Sequence, residues 1–185
     1  SGIASDSPKW AQHYTIRIYP AGGGAPRVFP ASLDAQPSVN QWSSDGSRIY
    51  FYEAKGTGTS IYYVDVTAGK IVEETYIPGV VTGFNINRGA TAAAMVAQST
   101  NEPQEVFVTK VGAASTDAVK VSNVNDENAK MPVGKTEVVK WKSKDGREIE
   151  GLLTYPNNYV AGSKVPLILN IHGGPAGVFN QSYIG

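Results

Sequence analysis

The chain has 185 residues, 41% of them hydrophobic and 17% charged, a balance that supports a packed core and argues against disorder. Its 16 basic and 16 acidic residues cancel, so neither a nucleic acid nor an anionic membrane surface has an electrostatic footprint here. With no cysteine there is no disulfide, thiolate nucleophile or Cys-ligated zinc, and His13 and His172 alone exclude a histidine-rich metal site, so no cofactor or metal is expected. The absence of cysteine leaves the compartment open, no apolar run reaches membrane-spanning length, and no signal-peptide pattern is visible.

Glycine (20) and proline (11) are frequent, aromatics are plentiful and long amphipathic helical patterns do not occur. The expected class is therefore mostly β, with short strands joined by turns. "RIYFY" (48–52) and "SIYYVDV" (60–66) are β-branched and aromatic runs of strand length. "SSDGS" (43–47) and "TAGK" (67–70) carry turn chemistry between them.

The pattern then recurs. Trp42 heads "WSSDGSRIYFYEA" and Phe84 heads a weaker copy, "FNINRGATAAAMVA". "TIRIYPAGG" (15–23) matches "YYVDVTAGK" (62–70), and "EVFVTKVG" (105–112) follows at a similar interval. A repeat of about forty residues built from four strands is the signature of a propeller blade. The alanines of "ATAAAMVA" (90–97) favour helix by propensity, but the register of the repeat predicts a strand. The pattern predicts the tail of one blade (13–31), a full blade (37–77) and another (80–122), about two and a half blades of a partial β-propeller.

After "SNVNDENAK" (122–130), which reads as a polar linker, the texture changes. "TEVVKWKSKDGREIEGLLTYP" (136–156) predicts a hairpin about Asp145-Gly146, "NNYVAGSK" a loop, and Val165–Ile171 a buried strand. Two antiparallel strands, then an apolar strand ending in glycines, is how many α/β-hydrolase domains begin. The expected organisation is residues 1–131 as the C-terminal part of a propeller and 132–185 as the N-terminal part of an α/β-hydrolase domain.

The strand runs into His172-Gly173-Gly174-Pro175. Acyl transfer needs backbone N–H groups aimed at the developing oxyanion, and in α/β-hydrolases one of them comes from an HGG-type loop after the third strand. Glycines suit that loop because the backbone must turn sharply and approach the substrate without a Cβ. His172 is not the triad base, which follows the nucleophile and acid in this fold. No G-x-S-x-G occurs: Ser60, Ser115 and Ser163 read as loop hydroxyls, and Ser182 and His13 belong to no recognisable triad. The 185 residues by themselves are expected to be inactive in acyl transfer. Expressed alone they are expected to be marginally stable or to aggregate, because Leu152, Leu167, Leu169 and Ile171 make an apolar face without covering helices.

"KWKSKDGREIEGLLTYP" and "GSKVPLILNIHGGPAG", preceded by blades carrying "WSSDGSRIYFY", resemble the prolyl oligopeptidase family of serine peptidases, in its acylaminoacyl-peptidase and dipeptidyl-peptidase branch. The resemblance implies a propeller that gates access of short peptides to a hydrolase domain, with the Ser, Asp and His of the triad outside these residues. It implies the Gly174 N–H as oxyanion donor, with Gly173 shaping the loop. In the dipeptidyl branch a tyrosine hydroxyl serves from the position of His172, so histidine there favours the acylaminoacyl pattern. That branch also anchors substrate through paired propeller glutamates; the adjacent Glu73-Glu74 falls in an outer-strand register and is read as solvated surface. The partners implied are a short peptide and the remainder of the same polypeptide, and a homo-oligomer is compatible with both. An esterase-type α/β-hydrolase with an unrelated β domain, and a non-catalytic propeller binding module, are the alternatives. A downstream G-x-S-x-G separates enzyme from module, and further upstream blades separate peptidase from esterase.

Overall fold

A computed structural model describes residues 2–4, 13–77, 79–113, 117–174 and 177–183. It contains strands β1 (Gly2–Ala4), β2 (Thr15–Ile18), β3 (Arg27–Val28), β4 (Ser38–Trp42), β5 (Arg48–Lys55), β6 (Gly58–Asp65) and β7 (Lys70–Ile77). There follow β8 (Val80–Ile86), β9 (Ala92–Gln98), β10 (Glu105–Lys110), β11 (Val119–Lys120), the helical turn α1 (Asp126–Ala129), β12 (Thr136–Lys142) and β13 (Glu148–Thr154). Pairing is antiparallel and mostly sequential: a three-stranded sheet β1-β2-β3, four-stranded sheets β4-β5-β6-β7 and β8-β9-β10-β11, and the hairpin β12-β13. Consecutive four-stranded meanders are blades, and the alanine-rich segment is the strand β9, as its register predicted.

The repeat is legible down to its irregularities. A β-bulge between Val39 and Gln41 in β4 recurs between Val81 and Gly83 in β8, at equivalent positions of the two blades. The side chain of Asn40 donates to the Phe84 carbonyl at 2.8 Å. Gln41 donates to the Ile86 carbonyl and accepts from the Ile86 N–H, each at 3.0 Å. These amides hold neighbouring first strands together where no strand ladder joins them.

The core lies between the sheets. Alternation along β5 sends Ile49 and Phe51 toward Ile16 and Phe29 of the first sheet region, with Tyr62 and Val64 beside them. Tyr50 faces the other way, into Ile61, Val81, Phe84, Ile86 and Met95. Phe51 stacks on Tyr62 at 5.3 Å between centroids, and Tyr50 meets Phe84 edge-on at 6.5 Å. A middle strand of a middle blade is buried on both faces, which is why "RIYFY" shows no polar alternation. The alanines of β9 leave room for this packing: Ala93 and Ala97 lie in the same cluster as the Tyr50 ring.

Turns follow the chemistry read from the sequence. Asp45 accepts from Ser43 and Ser47 in "SSDGS", and the Ser43 hydroxyl foremost draws its carboxyl down to about 2. The polar stretch after β11 is fastened rather than free. The Glu105 carboxylate accepts from the Ser122 hydroxyl and from the N–H groups of Val124 (3.2 Å) and Asn125 (2.8 Å), with Ser122 holding its pKa below the usual range.

One expectation fails. Val165–Ile171 forms no strand, and Leu167, Ile168 and Leu169 are 80%, 89% and 80% exposed. A parallel strand needs a hydrogen-bonding neighbour, and among the described residues β12 and β13 pair with each other over seven positions and not with this run. Among the described residues, no helix is long and apolar enough to cross a membrane.

Candidate functional site

The glycine loop is exposed and folds back on itself. Gly174 has φ +70°, a left-handed conformation that an L side chain rarely adopts. At Gly173 and Gly174 no described residue lies within 4 Å of where a Cβ would stand, so a ligand can approach the backbone closely. His172 Nδ1 lies 3.3 Å from the Gly173 carbonyl oxygen, and its ring meets Phe179 edge-on at 6.2 Å. Gly177 lies against the same Gly173 carbonyl, where a side chain would not fit. His172, Gly173 and Gly174 therefore stand together in one exposed turn, with the imidazole facing its own loop. Pro175 and Ala176 lie outside the described residues.

Beyond the loop the chain is fastened to the blades. The Gln181 N–H donates to the Thr57 carbonyl at 2.8 Å, and Gln181 Nε2 donates to Thr57 Oγ1 at 3.0 Å. Gln98 uses both ends of its amide: Nε2 donates to Ser182 Oγ at 3.3 Å, and Oε1 accepts from the Tyr183 N–H at 3.1 Å. The Tyr183 hydroxyl donates to the Asn128 carbonyl at 2.5 Å.

Thr57, in the tight turn between β5 and β6, is 3% exposed and also reaches the β12-β13 hairpin. Its N–H donates to Glu150 Oε2 at 2.9 Å. Lys140 Nζ, 2.7 Å from Glu150 Oε1, is the main cause holding the Glu150 carboxyl below its usual range. The blade ends meet at the same spot. Gly79, at φ +98°, packs so closely on the Gln98 carbonyl that a Cβ would collide with it, and its own carbonyl accepts from the Thr59 N–H at 3.0 Å.

Two other readings are corrected. Ser60 is not a loop hydroxyl: it lies in β6, fully buried, and donates to Glu73 at 2.8 Å. Glu73-Glu74 is not a uniformly solvated pair. Glu73 is held by Ser60 and by Lys55, at 2.9 Å, at one end of β5. Glu74 keeps 10% side-chain exposure and faces Arg48, 3.9 Å away, at the other end. The adjacent carboxylates thus have separate cationic partners and do not converge on one ligand. Ser163 caps its own loop by donating to the Val160 carbonyl at 2.7 Å, His13 is exposed, and Ser115 lies outside the described residues.

Glu53, buried like Glu105, accepts from Ser32 Oγ at 2.6 Å and from the Asp34 N–H at 3.3 Å, and burial raises its pKa. Burial likewise pushes the Tyr62 hydroxyl up to about 12. Among the described residues no group of three or more His, Cys, Asp or Glu side chains gathers in metal-binding geometry. Thr57, Gln98 and Glu150 carried no motif in the sequence. Their contacts cross 124, 85 and 93 positions respectively, beyond the reach of local pattern.

No protein-family model matches the chain. YuxL of Bacillus subtilis (strain 168), described as an uncharacterized peptidase, is 23% identical over 147 residues, which is 77% of this chain and 21% of that protein. Among solved structures, an acylaminoacyl peptidase bound to Z-Gly-Gly-Phe-chloromethyl ketone matches with TM-score 0.67 and 20% identity, over 92% of this chain and 25% of its own. The Pyrococcus horikoshii acylaminoacyl peptidase gives TM-score 0.65 and 21% identity, over 93% and 25%. AtxE2 isopeptidase gives 0.64 and 16%, over 92% and 25%. The chain thus spans about a quarter of these solved chains and a smaller share of the curated relative. It is related in sequence to a peptidase, and its mostly β fold, a partial propeller with a following hairpin, is shared with these peptidases.

Proposed function

We propose that the chain is part of a serine peptidase that hydrolyses short peptides, of acylaminoacyl or dipeptidyl type, through an acyl-enzyme. In this reading residues 1–131 are the end of a propeller that gates access, and 132–185 begin the α/β-hydrolase domain. The nucleophile, acid and base come from sequence outside these 185 residues, which contain no G-x-S-x-G. The serine oxygen attacks the scissile carbonyl as its proton passes to the base, and charge develops on the carbonyl oxygen; collapse then breaks the C–N bond and releases the amine, which takes that proton and leaves the acyl-enzyme. The Gly174 N–H donates to that oxygen together with the N–H that follows the nucleophile.

Gly174 carries the reading: a left-handed glycine in an exposed turn, open on the side where a Cβ would stand, within His-Gly-Gly-Pro. The peptidase relationship supports the substrate class, and His172, where the dipeptidyl branch has tyrosine, supports the acylaminoacyl pattern. The test is phosphonate labelling of the intact protein followed by a structure of the adduct. One serine is expected to be modified, with the phosphonyl oxygen about 2.7–3.1 Å from Gly174 N. An intact protein that labels no serine overturns the enzyme, and one that cleaves simple esters but no short peptide selects the esterase.

A further inference from the structure

We infer that Thr57 and Gln98, both on propeller blades, are positioning residues for the glycine loop; for its activity readout the inference rests on the peptidase reading above. The loop has unequal supports. Upstream, Leu167–Leu169 lie open to solvent and belong to no strand. Downstream, residues 181–183 make five hydrogen bonds to Thr57, Gln98 and Asn128.

Between the two, the loop is closed on itself. The Phe179 ring packs on His172, and Gly177 sits against the Gly173 carbonyl. Gln181, two residues beyond Phe179, is then bonded through both backbone and side chain to Thr57. Among the described residues, the fixed point nearest this closed loop is the junction of two blades. Thr57 also grips the hairpin through Glu150, so a single buried residue ties both later segments to the propeller.

Placement matters because an oxyanion donor works over a few tenths of an ångström. A misplacement of about 1 Å can cost on the order of a hundredfold in rate. An oxyanion donor stabilises the transition state more than the bound substrate, so misplacing it lowers kcat and leaves KM near its starting value.

The experiment uses the intact protein with a short N-acyl peptide p-nitroanilide and reads steady-state kinetics beside amide hydrogen exchange of residues 177–183. Gln98→Ala removes two bonds to the strap, and Thr57→Val removes one, together with the hydroxyl's hydrogen bond to Glu150. We expect kcat to fall about ten- to a hundredfold in Gln98→Ala and less in Thr57→Val, with KM within about twofold. Exchange at Gln181 and Tyr183 rises, while exchange in β5 and β6 stays as it was. Thr57→Ser and Gln98→Glu, which keep an acceptor for the strap, recover most of the rate.

Faster exchange with unchanged kcat overturns the positioning role, and unchanged exchange overturns the anchor itself. Loss of protection throughout β5 and β6 in both variants overturns it too, since the effect is then general unfolding. Failure of the peptidase reading looks different. The unsubstituted protein then neither cleaves the peptide nor takes a phosphonate, and exchange alone decides whether the blades hold the strap.

Discussion

"RIYFYEA" at 48–54 and "VPLILNI" at 165–171 are apolar runs of the same length, and they end in opposite states. Ile49, Tyr50 and Phe51 have no accessible surface, whereas Leu167, Ile168 and Leu169 are almost fully exposed. Composition does not separate them. The first run lies between β4 and β6, which take up its backbone groups on both edges, and between two clusters that cover both faces. The second has neither among the described residues, and its Pro166 has no N–H to give. An apolar run is a request for neighbours, and only the supply of neighbours makes it a strand.

The comparison is sharpened most by the largest truncation. Phe51→Ala removes a fully buried ring stacked on Tyr62 and is expected to lower unfolding free energy by about 3–5 kcal/mol in urea denaturation. A loss under about 1 kcal/mol would mean that this face is not closed.

Gly79→Ala comes next, because it forces a side chain into the Gln98 carbonyl at φ +98°. We expect a loss on the order of 2–3 kcal/mol, read from the same denaturation curves. Gln41→Ala withdraws the side chain that bonds both backbone groups of Ile86, and about 1–2 kcal/mol is expected. A neutral result there would show that the first strands need no amide rungs.

Glu53 supplies a pH test. Burial raises its pKa above the ordinary 4.5, and Asp34 beside it shifts in the same direction. The folded state therefore holds these protons more tightly than the unfolded state does. Their contribution is fully present below the ordinary carboxylate pKa and is lost as pH rises through the raised values. Stability measured between about pH 4 and pH 7 should carry this fall, and Glu53→Gln should flatten it. An unchanged slope in the variant would remove Glu53 as its source. At the small end, Leu169→Ala is expected to change stability by less than about 0.5 kcal/mol. A larger loss would show that the 165–171 run is covered in the intact protein.

Much of the fold was legible because it rests on local chemistry. Asp45-Gly46 and Asp145-Gly146 mark turns wherever they occur, and the repeat headed by Trp42 and Phe84 placed a strand over the alanines of β9 against their helix propensity. The glycine loop was equally legible, since His172, Gly173 and Gly174 are contiguous in the chain. Its supports were not. Thr57 is an ordinary turn residue and Gln98 an ordinary strand end until folding brings Gln181 and Tyr183 to them. The same holds for Glu74, which read as surface and proved to face Arg48 with little exposure.

By itself the sequence determined the blades, the hairpin and the glycine turn, because period-two alternation and turn residues act over a few positions. Tertiary structure alone decided which apolar run became a buried strand, which hydroxyls and carboxylates found partners, and which blade residues hold the strap beyond the loop. Those outcomes depend on neighbours far away in the chain, and burial and hydrogen bonding respond to neighbours in space rather than in sequence.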